Sequence, residues 1–517
     1  MKKTCFLIEF HGWHSGHYSD KILLEALKKK FHKKINVEAF LTNQFFFSNN
    51  FIKKLFNKIK LFFGQLFYIG TFGFYKTELK VNNIFIPNLS NEHKLKSLNF
   101  YNKFLKNKIT NKKIFNLKIN KIYIGDLLYD SYLRCNNRPT IDVNDENFKI
   151  FLKNFLCLFY FWENYFKTNI VKAVIVKHNT YLTGIPARIA IFNNIKSLVD
   201  IDFKLYQLSK KNLKPGLQIK SYRKNFKKFN LEFKKKALKK SNLEIIKKFS
   251  GSTEHEYYLL KSPFSKKNLN KRVIKKSNNF KIIIFPLSFY DAPSGYGGSL
   301  FNDFYEWLVF VLKLSLKTDY DWYIKLHPDV LLKWDYLNYT TVKSLIKKFK
   351  NVKWLSPETS HNQIIKEGIN AALTIHGTVG SEYPYFNIPV VNSSINNPHM
   401  NYSFNYHPKN IKELEKIILN LPKMNKKIKK EEILEFFYMH HLLPSYDWLG
   451  RNIKELLKKS KSLKLFYSSI DTYHSIAQKV NEEEVLQSLK TFLNTDNYIL
   501  EKKYDRNTNY KNIYKKN

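Results

Sequence analysis

A chain of 517 residues is too long for one ordinary core and fits two domains of about 200–250 residues each. Apolar residues make up 44% of it, with Phe and Tyr abundant, which excludes wholesale disorder, and three scattered cysteines (Cys5, Cys135, Cys157) exclude a disulfide framework or a structural zinc site. The formal charge is +46, but the lysines are spread along the whole chain together with Asn, Ile and Phe, so the charge reads as compositional bias and no specific nucleic acid is expected as a partner.

The opening apolar run, TCFLIEF, is short, carries Glu9 and lacks a small-residue cleavage site. It is a first strand rather than a signal peptide, and the expected location is cytoplasmic. SDKILLEALKKKF follows as a helix with Ser19 or Asp20 as cap. NVEAFLT and NNIFIP are short strands. KIYIGDLLYDSYLR starts as a strand at Lys121 and turns helical near Leu127. DENFKIFLKNFLCLFYFWENYF is a long buried helix, KAVIVKHNT a strand, GIPARIAIFNN a helix and KSLVDI a strand. Residues 209–275 are Lys-rich with little short-period apolar pattern, and read as a linker with helices.

The alternation then restarts: FKIIIFPLSF as strand, DFYEWLVFVLKLSLK as helix, DWYIKLHP as strand, TTVKSLIKKF as helix, VKWLSP as strand, SHNQIIKEGIN as helix capped by Ser360, AALTIHG as strand, TVGSEYPYF as a short helix, IPVVNSS as strand and NIKELEKIILNL as helix. Two α/β domains in series are expected: 1–208, the linker 209–275, then 276–445, with a helical tail over 446–517. In such sheets ligands sit beyond the carboxyl ends of the strands. No repeat of 20–50 residues is visible.

Several polar residues fall at those ends. In IHGTVGSEYPYF, a turn between strand and helix offers backbone N–H groups at the positive end of a helix dipole, which suits an anion. Gly377 and Gly380 permit close approach, Thr378 and Ser381 add hydroxyls, His376 precedes the turn, and Glu382 is placed to accept from two ribose hydroxyls. In WYIKLHPDV, Pro328 ends the ladder and fixes His327, which can donate to a phosphate while Lys325 supplies charge. YDAPSGYGG, with Asp291, reads as a mobile flap. It is not a dinucleotide fingerprint. In the first half, Asp126 stands past a strand end, placed for general-base work, while Asp130 and Arg134 have the spacing of a helix-face ion pair. EFHGWHSGH gathers Glu9, His11, His14 and His17. Three histidines invite a metal reading, but no partner ligands accompany them, and no metal is expected. His178 and Tyr181 stand on the same rim, and Asn397, Pro398 and His399 are placed to touch a base or a sugar.

Taken together, IYIGDLLYDSYLR, HNTYLTGIPARIA, FYDAPSGYGG, IKLHPD, IHGTVGSEYPYFNIPVV and NNPHMNYSFNY resemble bacterial capsular and surface-polysaccharide glycosyltransferases of the GT-B architecture, two Rossmann-like domains facing across a cleft. The His-Pro pair is similar to that of bacterial sialyltransferases and capsule Kdo transferases. The resemblance implies that His327 and Pro328 contact the donor phosphate, and that Gly377, Thr378, Ser381 and Glu382 contact the donor. It implies a nucleotide-sugar co-substrate, CMP-linked before UDP- or GDP-linked, a glycan or lipid-linked acceptor, and no further cofactor. Sialyltransferases place an acidic pair before a glycine in the first domain; here only Gly125-Asp126 resembles it, reversed. Rival classes are a CDP-polyol phosphotransferase of teichoic-acid type, a nucleotide-sugar epimerase and a nucleic-acid binder. FIKKLFNKIKLFFGQLFYIG interleaves Lys with apolar residues, and is expected either to lie on the anionic inner leaflet or to be buried in the first domain.

Overall fold

The computed structural model describes residues 2–31, 35–42, 69–106, 108–201, 204–215, 222–251, 262–264, 271–331, 335–443, 448–449 and 470–500, together with 55, 59, 62–64 and 66–67. The chain forms two compact units, one of residues 1–136, 141–215 and 445–503, the other of 137–140, 216–444 and 504–517.

The first unit holds β1 (Thr4–Glu9), β2 (Asn36–Phe40), β3 (Asn83–Phe85), a small hairpin of β4 (Lys118–Ile119) and β5 (Ile122–Tyr123), then β6 (Ile170–Val176), β7 (Lys196–Ile201) and β8 (Lys204–Leu208). Its main sheet runs β3-β2-β1-β6-β7-β8, parallel except for the antiparallel β7–β8 edge. Both faces are covered, which is why β1 is apolar on consecutive residues instead of alternating. Cys5 and Leu7 pack against the helices Gly125–Asn136, Glu146–Thr168 and Gly184–Phe192. Phe6 and Ile8 point the other way, into the helix His14–Phe31.

That second face is completed by the far end of the chain. Tyr473 and Ile476 of the helix Ile470–Ala477, and Val485, Leu489 and Phe492 of Glu482–Leu493, share a core with Leu23 and Leu27. The described part of the expected tail is therefore a structural layer of the first unit; residues 444–447, 450–469 and 501–517 lie outside the described residues. The Lys-rich stretch 209–275 does not stand apart either. It passes from the first unit to the second after Pro215. Its helix Leu231–Phe249, capped by Asn230 through Phe233 N, packs Ile245 and Phe249 against Ile433, Phe436 and Phe437.

The second unit carries β9 (Lys281–Phe285), β10 (Asp321–Lys325), β11 (Val352–Leu355), β12 (Ala371–Thr374) and β13 (Val390–Asn392), all parallel in the order β11-β10-β9-β12-β13. Both units are Rossmann-like, as the sequence alternation implies. In each, the strand order reverses beside the first strand, between β1 and β6 and between β9 and β12. At such a point the connections leave towards opposite faces and open a crevice beyond the strand ends. No helix among the described residues is long and apolar enough to cross a membrane.

Candidate active site

In the second unit an unbalanced positive charge stands at the end of β10, the strand next to the reversal point. Lys325, the last residue of β10, is 1% exposed. Its Nζ lies 3.3 Å from Leu326 O and 3.4 Å from His361 Nε2, with no carboxylate in ion-pair range among the described residues. Burial pushes its ammonium down to about 7, although the charge of Glu382 works against that. Glu382 is already engaged: Lys248, from the helix Leu231–Phe249, sits 2.8 Å from its Oε1, and both side chains are buried. Two buried lysines thus share one carboxylate.

His361 opens the helix His361–Glu367 behind the Ser360 cap and stacks under Phe285 at 5.1 Å. Burial, then the neighbouring Lys325, hold it well below its usual range, so it is neutral. A protonated Lys325 can only donate, so His361 Nε2 accepts and Nδ1–H donates to Tyr383 Oη at 2.9 Å. This chain of contacts ties the end of β10 to the segment after β12. His327, two residues past β10, keeps 43% of its side chain exposed. Its Nδ1 accepts from Asp329 N at 3.2 Å within the turn Pro328–Leu331, which leaves the proton on Nε2. Burial and the Lys325 charge bring it to about 4, so the 3.5 Å approach of Asp329 Oδ2 is not an ion pair near neutrality.

The turn after β12 is built by Thr374, whose Oγ1 donates to Phe285 O at 3.0 Å and accepts from Gly377 N at 3.1 Å. A Cβ on Gly377 would lie 2.8 Å from that oxygen. Thr378 is exposed, and neither its N–H nor that of Val379 has an acceptor among the described residues. Ser381 Oγ turns back to donate to Thr378 O at 3.1 Å. The expected dipole is weak, because the helix is only Val379–Glu382 before it tightens into the 3-10 turn Tyr383–Phe386. His376 is half-buried against Tyr296 at 4.8 Å and is pushed down to about 4 by burial.

Three expectations need correction in this unit. Asn397 and His399 do not present themselves to a base or sugar: they are 1% and 3% exposed. They brace the turn from below, with Asn397 Nδ2 donating to Asn392 Oδ1 at 3.3 Å. A Cβ on Gly380 would lie 2.6 Å from His399 Nε2, so the glycine exists for this internal approach as much as for a ligand. Asp291 is exposed and accepts from Tyr296 Oη at 3.3 Å. Its loop is not a free flap, since Asn396 Nδ2 donates to Tyr296 O at 3.3 Å and Leu300 N to Ser393 O at 3.2 Å.

In the first unit the reversal point is already filled. Glu9 Oε2 accepts from Lys177 N at 2.8 Å and His178 N at 3.3 Å, taking the donors an anionic ligand would use. Lys177 Nζ sits between Asp20 Oδ1 at 2.8 Å and Asp200 Oδ2 at 2.5 Å, and Trp448 Nε1 donates to Asp200 Oδ1 at 2.9 Å. Asp20 Oδ2 is 2.7 Å from His11 Nε2, while His11 Nδ1 accepts from Trp13 N at 3.2 Å. Both nitrogens of His11 are therefore committed. The neighbouring histidines are not symmetric. His17 Nε2 donates to His11 O at 2.9 Å, so its Nδ1 can only accept, and the donor 3.1 Å away is His14 Nδ1–H. That leaves an unprotonated Nε2 on half-buried His14, whose pKa burial lowers. Beside it stands Trp13, 40% exposed and packed edge-on to half-buried His178 at 4.9 Å. Tyr181 lies in the following turn with a positive φ of 57°.

Asp126 is not a general base. It sits fully buried in the first turn of the helix Gly125–Asn136, after a strand that pairs in the β4–β5 hairpin and not in the main sheet. Oδ1 accepts from Leu127 N at 2.9 Å and Arg188 Nη1 at 3.2 Å, Oδ2 from Arg188 Nη2 at 3.0 Å and lies 2.9 Å from Lys214 Nζ. Burial would raise its carboxyl, but the Arg188 guanidinium and then the Lys214 ammonium overcome that and hold it at about 2.

No protein-family model and no curated protein matches the sequence. Among solved structures the chain is similar to KpsC, a beta-Kdo 2,4 transferase of Thermosulfurimonas dismutans, at 12% identity and TM-score 0.32 over 52% of this chain and 79% of that one. It is similar to a UDP-GlcNAc 2-epimerase of Neisseria meningitidis at 12% identity and TM-score 0.24, over 84% and 95% of the two chains. MurG of Acinetobacter baumannii aligns at 10% identity and TM-score 0.24, over 88% and 99%. The chemistry of the site rests on its own geometry.

Proposed function

We propose that the protein is a nucleotide-sugar-dependent glycosyltransferase whose second unit holds the donor phosphate and whose first unit receives the acceptor. Buried Lys325, a cation with no carboxylate of its own among the described residues, at the end of the strand next to the point where the order reverses, carries this reading. A phosphate is the missing counter-charge. His327 Nε2–H, the Thr378 hydroxyl and the two free N–H groups of the turn are the donors that would orient it. Glu382, pinned by Lys248, stands at the same strand ends, and the likeness of the His-Pro element favours a CMP-linked donor.

In the reaction the acceptor hydroxyl oxygen bonds to the anomeric carbon, and the bond from that carbon to the phosphate oxygen breaks. The electron pair leaves with the phosphate, stabilised by Lys325 and His327, and the hydroxyl proton passes to solvent water. In the first unit the exposed Trp13 indole offers an apolar face to an acceptor pyranose. A growing capsular or other surface glycan, lipid-linked at the cytoplasmic side, is the acceptor proposed.

The test is a screen of CMP-, UDP- and GDP-sugars carrying label in the sugar or in the phosphate, with and without glycan acceptors. Sugar label should enter the acceptor and phosphate label should not. His327→Ala should abolish the rise in melting temperature that the donor gives while leaving the ligand-free melting point nearly unchanged, because the ring is exposed. Phosphate label in the acceptor would make the protein a polyol-phosphate transferase. Donor altered at its sugar without any acceptor would make it an epimerase.

A further inference from the structure

Residues 51–70 read FIKKLFNKIKLFFGQLFYIG, and no Asp or Glu occurs anywhere from 39 to 77. Leu55, Ile59, Phe62, Phe63 and Leu66 recur at the spacing that lines one face of a helix, and each is helical in the structure. Such a face normally meets the core. Here it meets solvent: with Phe67, these side chains are exposed by 46% at Ile59 to 61% at Phe62. The rings of Phe63 and Phe67 lie parallel at 6.0 Å, and Phe62 meets Phe63 edge-on at 5.6 Å, so these three rings form one patch.

Gly64, within the same stretch, is seated on the first unit. Gly64 is buried, and a Cβ there would lie 2.5 Å from the ring of Phe72, which packs on Phe10 at 4.7 Å. The apolar face is therefore turned outward while the backbone at Gly64 is held in. Isolated surface apolar residues need no explanation, but six large ones exposed within thirteen residues of sequence, three of them in ring contact, do.

We infer that this segment is a docking surface for an anionic lipid bilayer. The sequence interleaves Lys53, Lys54, Lys58 and Lys60 with the apolar residues and supplies no acidic counterpart. An amphipathic helix of this kind buries its apolar face at the level of the lipid headgroups, and its lysines meet their negative charge. The inference goes beyond the transferase reading and stands without it.

The experiment is vesicle flotation of the full chain with phosphatidylcholine vesicles containing about 30% phosphatidylglycerol, and with phosphatidylcholine alone. The protein should float with the anionic vesicles. Phe62→Ser, Phe63→Ser and Phe67→Ser should each weaken partitioning about tenfold, with the melting point unchanged because the rings are outside the core. Replacing the four lysines by Gln should abolish the preference for phosphatidylglycerol. Four results would overturn the inference: no flotation of the wild type; flotation of the triple Phe variant equal to wild type, which assigns binding to the bulk charge of +46; a lowered melting point in that variant, which assigns the rings to the core; or a wild-type dimer that the same variant makes monomeric while flotation is unaltered, which makes a second copy the occupant.

Discussion

Replacing Asp126 by Asn is expected to destabilise the first unit by about 3–5 kcal/mol, because it leaves a buried guanidinium and a buried ammonium without their counter-charge. For a unit of its size this lowers the melting transition by roughly 10 °C or more, which calorimetry would read directly. The geometry allows little else. Both oxygens of Asp126 are occupied by Arg188, Lys214 and the Leu127 amide, and none faces solvent. A catalytic base would behave in the opposite way, keeping its melting point and losing turnover. The pH dependence carries the same sign. The folded carboxyl stands at about 2 against an ordinary 3.8, so its contribution is complete above about pH 4 and disappears as pH falls towards 2.

Lys325→Met is expected to act in the reverse direction. It removes a buried charge that has no ion-pair partner among the described residues, so the ligand-free protein should gain about 1–4 kcal/mol at pH 7 and below. The nucleotide should no longer bind. The folded ammonium titrates at about 7 and the unfolded one near 10.5. Between those values the unfolded chain holds more protons, so wild-type stability climbs with pH across that window, while the full burial cost applies below it. In Lys325→Met that climb should flatten. A variant that is both more stable and unable to bind marks a strained site, whereas a packing role for Lys325 would give a variant no more stable than wild type.

The two doubly wound sheets were legible in the alternation of apolar strands and amphipathic helices, since parallel strands buried on both faces leave a plain apolar signature. KLHP and HGTVGSE were legible as strand-end elements for the same reason. Burial of polar groups was not. Asp126 and Glu382 look alike in sequence, a carboxylate in a first helical turn, yet Asp126 is held by Arg188 and Lys214, each over sixty residues away, and Glu382 is reached by Lys248 from a helix over a hundred residues away. Nothing distinguishes Lys248 from its neighbours in a run of lysines. His361 carried a faint signal, a histidine directly behind a Ser cap on an otherwise ordinary helix. The edge strand Lys204–Leu208 and the return of the C-terminal helices to the first sheet depend on long-range pairing that local pattern does not encode. The unprotonated Nε2 of His14 emerged only from following hydrogen-bond polarity through His17 to a backbone oxygen.

The central claim is that Lys325 takes a nucleotide's phosphate as its counter-charge. Isothermal titration of a CMP- or UDP-sugar from about pH 6.5 to 8.5 tests it most directly, because the donor's phosphates are already fully ionised there and any pH dependence comes from the protein. The bound phosphate favours the protonated ammonium, so affinity should hold below about pH 7 and fall by up to about tenfold per unit above it; in Lys325→Met it should be lost at every pH. Affinity that stays level across that range, or a Lys325→Met variant that binds as tightly as wild type, would contradict it.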